Sequence, residues 1–129
     1  MYDEIKGRPG KWYVSLPVSE NLEDSDRLKE IGEAAEKIVR FLNEKGISVN
    51  CPVLEYWLSH RESGPEPVDW DLYGETYISP LIESSVGVIM VSFPGHADDP
   101  VVGDEIEFFF DRDLPGYVLA WPGLDIIET

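Results

Sequence analysis

A run of carboxylates lies near the C-terminal end of the chain. Asp98 and Asp99 precede a Pro-Val-Val-Gly segment, and Asp104, Glu105 and Glu107 follow it, just ahead of three consecutive phenylalanines. The pattern predicts an acidic loop that opens a helix at a carboxylate. Because an ordinary glutamate is already ionised at neutral pH, it needs no separate base to act as a nucleophile. A carboxylate held there can attack a sugar carbon or protonate a base.

Two interpretations of this acidic helix start are open: a functional one, in which Glu105 is a nucleophile, and a structural one. Glu105 comes just past Gly103, where the exposed amides and the positive end of the helix dipole would stabilise its ionised form. In the structural interpretation, the acids at 104, 105 and 107 are ordinary first-turn residues that favour the dipole. Local composition alone favours the structural interpretation.

Other familiar functional motifs are missing from the sequence. The turn after the first predicted strand has no glycine that would let the backbone approach a pyrophosphate, which argues against a dinucleotide or P-loop site. His60 and His96 lie on separate predicted loops without metal-ligand spacing. No Gly-x-Ser-x-Gly elbow surrounds Ser15 or Ser19, so a serine-hydrolase triad is not supported. We therefore expect neither a metal nor a cofactor.

The composition predicts one compact acidic domain. The chain has 129 residues, 43% of them apolar, which suits a single domain over 1–129 with its core at about 11–121. Ten basic residues against 26 acidic ones give a formal charge of −16. This charge repels phosphate backbones and anionic membranes, so we expect neither as a partner. A solvated acidic surface is sufficient to explain it.

Cysteine content and hydropathy predict a cytoplasmic location. Cys51 is the only cysteine, so no disulfide can form within one chain. Residues 1–6 lack a basic segment followed by a long apolar run, and no window approaches the roughly 18 apolar residues of a membrane span. We therefore expect neither a signal peptide nor a transmembrane helix.

Apolar periodicity predicts strands that alternate with helices. The predicted strands are Trp12–Leu16, Ile47–Cys51, Val86–Ser92 and Tyr117–Trp121. One predicted helix is capped by Asp24 or Ser25 and ends at Gly46, and two more cover 69–84 and 101–112. The polar stretch from Ser59 to Val68 predicts a surface loop. This alternation predicts a parallel α/β sheet with the strand at Val86 in the centre and ligands at the carboxyl ends of the strands.

Four short blocks follow one another in a distinctive order and spacing. They are the strand Trp12–Ser19, the amphipathic helix ending in Lys45-Gly46, the segment Asp69-Trp70-Asp71 and the block Asp99–Glu105. In order and spacing they resemble the nucleoside 2-deoxyribosyltransferase superfamily, which includes deoxynucleotide N-hydrolases and a small uncharacterised branch. The resemblance covers roughly 11–121, which is nearly the whole chain.

The resemblance implies a flavodoxin-like, three-layer α/β/α fold with a mostly parallel sheet of four or five strands. It also implies an enzyme that cleaves or exchanges the N-glycosidic bond of a nucleoside or nucleotide. Glu105 matches the family's nucleophile, Tyr13 the tyrosine that holds its carboxylate, and Asp99 the aspartate that interacts with the base. The expected substrate-binding residues are Ser15, Ser19, Trp70, Tyr77 and Gly103, and Tyr56 or Trp57 are further candidates for stacking on the base.

Two positions depart from the family pattern. Tyr77 stands where the family has an aspartate that helps to bind the sugar hydroxyls, and Ser85 replaces another aspartate. A phenol can hydrogen-bond a hydroxyl but cannot accept two bonds as a carboxylate does. Sugar recognition must therefore differ, or activity has been lost, unless neighbouring Glu75 takes over.

Three functional hypotheses follow from the sequence. The leading one is an enzyme acting on a small nucleoside or nucleotide, assembled as a homo-oligomer. The second is a non-catalytic nucleotide-binding or interaction module with the same fold, and the third is an acidic structural protein that assembles into dimers or rings. An enzyme should place Glu105 and Tyr13 in one open pocket within hydrogen-bonding reach, whereas a module should show that pocket filled.

Overall fold

A five-stranded sheet forms the centre of the computed structural model, which describes residues 5, 7, 9–16, 25–60, 79–93 and 100–128. Its strands are β1 (Lys11–Ser15), β2 (Val49–Asn50), β3 (Ser85–Val91), β4 (Gly116–Leu119) and β5 (Ile126–Glu128). They are arranged in the order β2-β1-β3-β4-β5. The first four are parallel and β5 is antiparallel to β4. The parallel pairing and the central position of β3 confirm the sequence prediction.

Within the described residues, four helices flank the sheet: α1 (Ser25–Glu44), α2 (Pro52–His60), α3 (Ser79–Glu83) and α4 (Pro100–Asp111). Residues of α1 and α2 join one apolar cluster with Trp12, Val14 and Ile89 of the sheet. A second cluster contains Ile82 and Phe109, from α3 and α4, against the opposite face. Helices therefore cover both faces, and the predicted three-layer α/β architecture with a mostly parallel sheet is confirmed.

The end of α1 follows the predicted glycine signal. Gly46 has a φ of 81°, which a glycine adopts without the steric penalty of a Cβ atom. The amide of Ile47 donates to the carbonyl of Leu42 at 2.9 Å, and the amide of Gly46 donates to that of Asn43 at 2.9 Å. This pair of hydrogen bonds is a Schellman motif, which satisfies the last carbonyls of the helix.

The second predicted strand is wrong in extent. Only Val49 and Asn50 form β2, whereas the predicted strand ran from Ile47 to Cys51, and α2 begins at Pro52. Proline suits the first position of a helix because its φ is already helical and its missing N–H has no helical partner there. The edge strand β5 was not predicted.

The remaining element predictions are met only in part by the described residues. The predicted helix over 69–84 coincides with α3 in 79–83, and 69–78 lie outside the described residues. Ser59 and His60 of the predicted surface loop end α2, and the rest of that loop lies outside as well. No helix in the described part of the chain is both long and apolar enough to cross a membrane.

Candidate functional site

Strand β1 aims two hydroxyl groups at one carboxylate of α4. Alternate residues of a strand point to the same face, so Tyr13 and Ser15 both face α4. The Tyr13 hydroxyl donates a hydrogen bond to Oε2 of Glu105. The Ser15 Oγ donates to Oε1 of Glu105 at 3.3 Å. Residues 90 or more positions apart in the chain thus form one polar cluster, which we call the carboxylate clamp.

The carboxylate clamp is almost wholly removed from water. Tyr13 is 2% exposed, Ser15 0% and Glu105 4%. The ring of Phe109, one turn further along α4, lies 5.9 Å from the ring of Tyr13 between centroids, and Val88 belongs to the same apolar cluster. A carboxylate in such surroundings needs hydrogen-bond donors to offset its lost hydration, and here the clamp hydroxyls act as donors.

The helix dipole contributes less to Glu105 than the sequence analysis expected. The helix begins at Pro100, five residues before Glu105, so Glu105 lies in the second turn and not at the helix start. Dipole effects fall off within the first turn. The two hydroxyls of β1 donate to this carboxylate, and the helix dipole adds little at that distance from the helix start.

The clamp lies where the sheet changes its winding direction. The strand order 2-1-3-4-5 has its topological switch point between β1 and β3, and doubly wound sheets bind ligands outside the carboxyl ends of the strands at that point. Ser15 is the last residue of β1, and Glu105 is on the helix that follows β3. The carboxylate thus lies at the position where ligands bind in this class of sheet.

The structure separates the remaining predicted site residues into two groups. Gly103 lies in α4 and is exposed. It precedes Glu105 by two residues, which corresponds to a rotation of about 200° around the helix axis. The structure therefore does not bring Gly103 beside the Glu105 carboxylate. The other predicted residues, Asp99, Ser19, Trp70 and Tyr77, lie outside the described residues, as does Glu75. Their roles stay predictions.

A second polar cluster at β2 and β3 was missed by the sequence analysis. The Asn50 Nδ2 donates to the Ser85 Oγ at 3.0 Å and to the Leu81 carbonyl at 3.4 Å. The Ser85 Oγ donates to the same carbonyl at 2.7 Å. These bonds fasten the end of α3 to the sheet, and Ser85 stands at the amino end of β3, opposite to the clamp. Asn50, the single polar residue between Val49 and Cys51, was the signal in the sequence that could have indicated this cluster.

Two aromatic candidates for base stacking lie on the wrong face of the sheet. Tyr56 is buried in the cluster with α1, and Trp57 packs against it. The indole N–H of Trp57 donates to Oε1 of Glu36 at 2.8 Å, and its ring leaves no room for a Cβ atom at Gly32. Both rings therefore pack α2 against α1, away from Glu105.

Cys51 is a buried free thiol near the clamp. Burial, together with the negative charges of Glu55 and Glu105, raises the pKa of Cys51 to about 12. A thiol with such a pKa stays protonated at neutral pH and is a poor nucleophile. Glu105 is therefore the better candidate for nucleophilic chemistry.

Comparison with known proteins gives no assignment: no family model, curated protein or solved structure matches the chain. Among the described residues, no group of three or more His, Cys, Asp or Glu side chains could hold a metal ion.

Proposed function

We propose that this chain is a nucleoside 2-deoxyribosyltransferase-like enzyme that cleaves or exchanges the N-glycosidic bond of a nucleoside or nucleotide. The observation that carries the proposal is the buried Glu105 carboxylate with a hydroxyl donor on each oxygen. A nucleophilic carboxylate must be ionised and fixed in orientation, and two hydroxyl donors serve both needs. Its position at the β1/β3 switch point adds further support.

The proposed reaction follows the double displacement of retaining glycosidases. An oxygen of Glu105 bonds to the anomeric carbon while the bond from that carbon to the base breaks, and the base leaves with the bonding electron pair. The negative carboxylate stabilises the oxocarbenium character of the transition state. Water, or a second base in a transfer reaction, then attacks the anomeric carbon of the glycosyl ester and restores the carboxylate.

The other residues have supporting roles in this proposal. Tyr13 orients the carboxylate through its phenol. Asp99 hydrogen-bonds the departing base or donates a proton to it. Ser19, Trp70 and Tyr77 are proposed to bind substrate, as the family resemblance implies. Tyr77 in place of an aspartate gives this chain a different recognition of the sugar hydroxyls.

The proposed partner is a small nucleoside or nucleotide and not a nucleic-acid polymer or a membrane. The net charge of −16 supports this choice, since a polyanion would be repelled. A cytoplasmic location and a homo-oligomeric assembly belong to the same proposal.

Base release from nucleosides tests the proposal. The purified protein is incubated with ribo- and deoxyribonucleosides and their monophosphates, and the products are separated by chromatography. We expect free base from at least one substrate, and a new nucleoside when a second base is added if the enzyme transfers the sugar. Tyr13→Phe keeps the ring contact with Phe109 but removes the donor, so base release should slow by about tenfold or more. No release from any substrate would contradict the proposal.

The burial of Glu105 favours one alternative, a non-catalytic nucleotide-binding or interaction module. Glu105 is 4% exposed and both its oxygens accept hydrogen bonds within the protein. A carboxylate that is satisfied in this way can serve the fold alone. The same panel separates the two functions, because a module would bind a nucleotide in calorimetry and release no base.

A further inference from the structure

Ser92 lies at the carboxyl edge of the sheet, one strand away from the carboxylate clamp. It follows directly on the last residue of β3, and it is exposed. Ser15 of the clamp pairs with Met90 in the register of β1 and β3, so Ser92 is two residues further towards the carboxyl edge. Strand spacing and rise place the backbones of the two serines about 8 Å apart. A small molecule that contacts Glu105 at this edge can therefore also reach Ser92.

The Ser92 hydroxyl takes the place of a backbone acceptor between β3 and β4. The Ser92 amide donates to the Leu119 carbonyl at 3.0 Å, which extends the pairing of the two strands by one bond. In a regular parallel ladder, the Trp121 amide would next donate to the Ser92 carbonyl. It donates instead to the Ser92 Oγ at 3.0 Å. A backbone amide thus holds this oxygen in position, whereas an ordinary surface serine can rotate.

The segments on both sides of this hydrogen bond are also fixed. The rings of Phe93 and Trp121 lie 5.9 Å apart between centroids, and Phe93 is 3% exposed. The Ala120 amide donates to the Asp125 carbonyl at 2.7 Å, within the turn that carries the Trp121 amide. The Ser92 hydroxyl is therefore preorganised, and a preorganised group loses little conformational entropy when it binds a ligand.

Ser92 also has a hydrogen-bond donor to offer. A serine hydroxyl has one donor and two acceptor sites. Trp121 occupies an acceptor site, and no group in the described part of the chain accepts the hydroxyl proton. We infer that Ser92 is a substrate-binding residue whose hydroxyl donates to an acceptor atom on the sugar or the base of the substrate. This inference rests on the proposed function.

Kinetics of Ser92→Ala test the inference. Because the lost hydrogen bond lies outside the reacting atoms, KM for base release should rise about three- to tenfold while kcat stays within about twofold of the wild-type value. Ser92→Thr keeps the hydroxyl and should restore KM. Ser48→Ala is the matched control: Ser48 is another exposed serine next to a parallel strand, but it precedes β2 at the amino edge. Its KM should match the wild type.

Substrate analogues separate substrate binding from a purely structural role of Ser92. Each analogue lacks one acceptor: the 3′ or 5′ hydroxyl of the sugar, or one ring nitrogen or carbonyl of the base. The effect of Ser92→Ala should disappear for the analogue that lacks the atom bound by Ser92 and persist for the others. An unchanged KM in Ser92→Ala, or the same rise with every analogue, would overturn the inference although the proposed function stands. If the wild-type protein releases no base from any nucleoside or nucleotide, the proposed function fails and the inference fails with it.

Discussion

Among single residues, Glu105 shows how hydrogen-bond donors can stabilise a carboxylate in an apolar environment. The carboxylate lies beside the Phe109 and Tyr13 rings, where an unpaired charge would be very costly. One hydroxyl on each oxygen offsets that cost. Removing either donor should therefore affect both stability and the orientation of the carboxylate, which is why turnover and folding must be measured together in every variant.

Cys51 gives a pH-dependent stability that can be checked without a substrate. Burial raises the pKa of Cys51 to about 12 in the folded protein, whereas an exposed thiol in the unfolded chain titrates near 8.5. Above pH 8.5 the unfolded state binds fewer protons than the folded state, so the free energy of unfolding falls as pH rises towards 12. The expected slope is at most about 1.4 kcal/mol per pH unit.

Urea unfolding of wild type and Cys51→Ala between pH 8 and 11 isolates this contribution. The stability of Cys51→Ala relative to wild type should improve as pH rises, because the variant lacks the thiol while other titrating groups are shared. A stability difference that stays constant over this range would contradict the assigned pKa. In the folded wild-type protein, the thiol should react with alkylating reagents only at the rate of unfolding.

At the scale of helices, two glycines have opposite surroundings. A Cβ atom at Gly32 in α1 would overlap the Trp57 ring of α2, whereas a Cβ atom at Gly103 in α4 would meet nothing within 4 Å. Gly32→Ala should lower the free energy of unfolding by about 1–3 kcal/mol through overpacking. Gly103→Ala should raise it by up to about 1 kcal/mol, because alanine has the higher helix propensity.

Chemical denaturation of both variants checks the contrast. Equal effects at the two positions would show that α2 does not pack on α1 as the structure has it. Because the comparison is between two helical glycines with the same substitution, the shared gain in helix propensity cancels. The difference of about 1–4 kcal/mol then reports the contact between Gly32 and Trp57.

The helix boundaries show which structural features could be predicted from local sequence signals. The end of α1 could be predicted because Gly46 is a chemical stop signal that acts locally. The start of α2 could not, because Pro52 is compatible both with the end of a strand and with the first position of a helix. Tertiary packing decided between them: Val53 and Tyr56 become buried in the cluster with α1 only if α2 is helical.

At the scale of the whole molecule, the parallel sheet and the central strand followed from the near-continuous apolar run of β3. The position of Glu105 on the helix that follows the central strand could be expected from the alternation of strands and helices. The pairing of Glu105 with Ser15 could not, since a serine among apolar strand residues gives no sign of its partner 90 positions away. The antiparallel β5 escaped prediction because its three residues carry little pattern.

The most direct test of the proposed function compares Glu105→Gln with Glu107→Gln. Glu105 is buried in the clamp, and Glu107, two residues further along α4, is exposed. Glutamine keeps the shape but removes the anion, so base release by Glu105→Gln should fall about a hundredfold or more, while Glu107→Gln should match the wild type. If Glu105→Gln is folded and releases base at the wild-type rate, or if only Glu107→Gln is inactive, Glu105 is not the nucleophile.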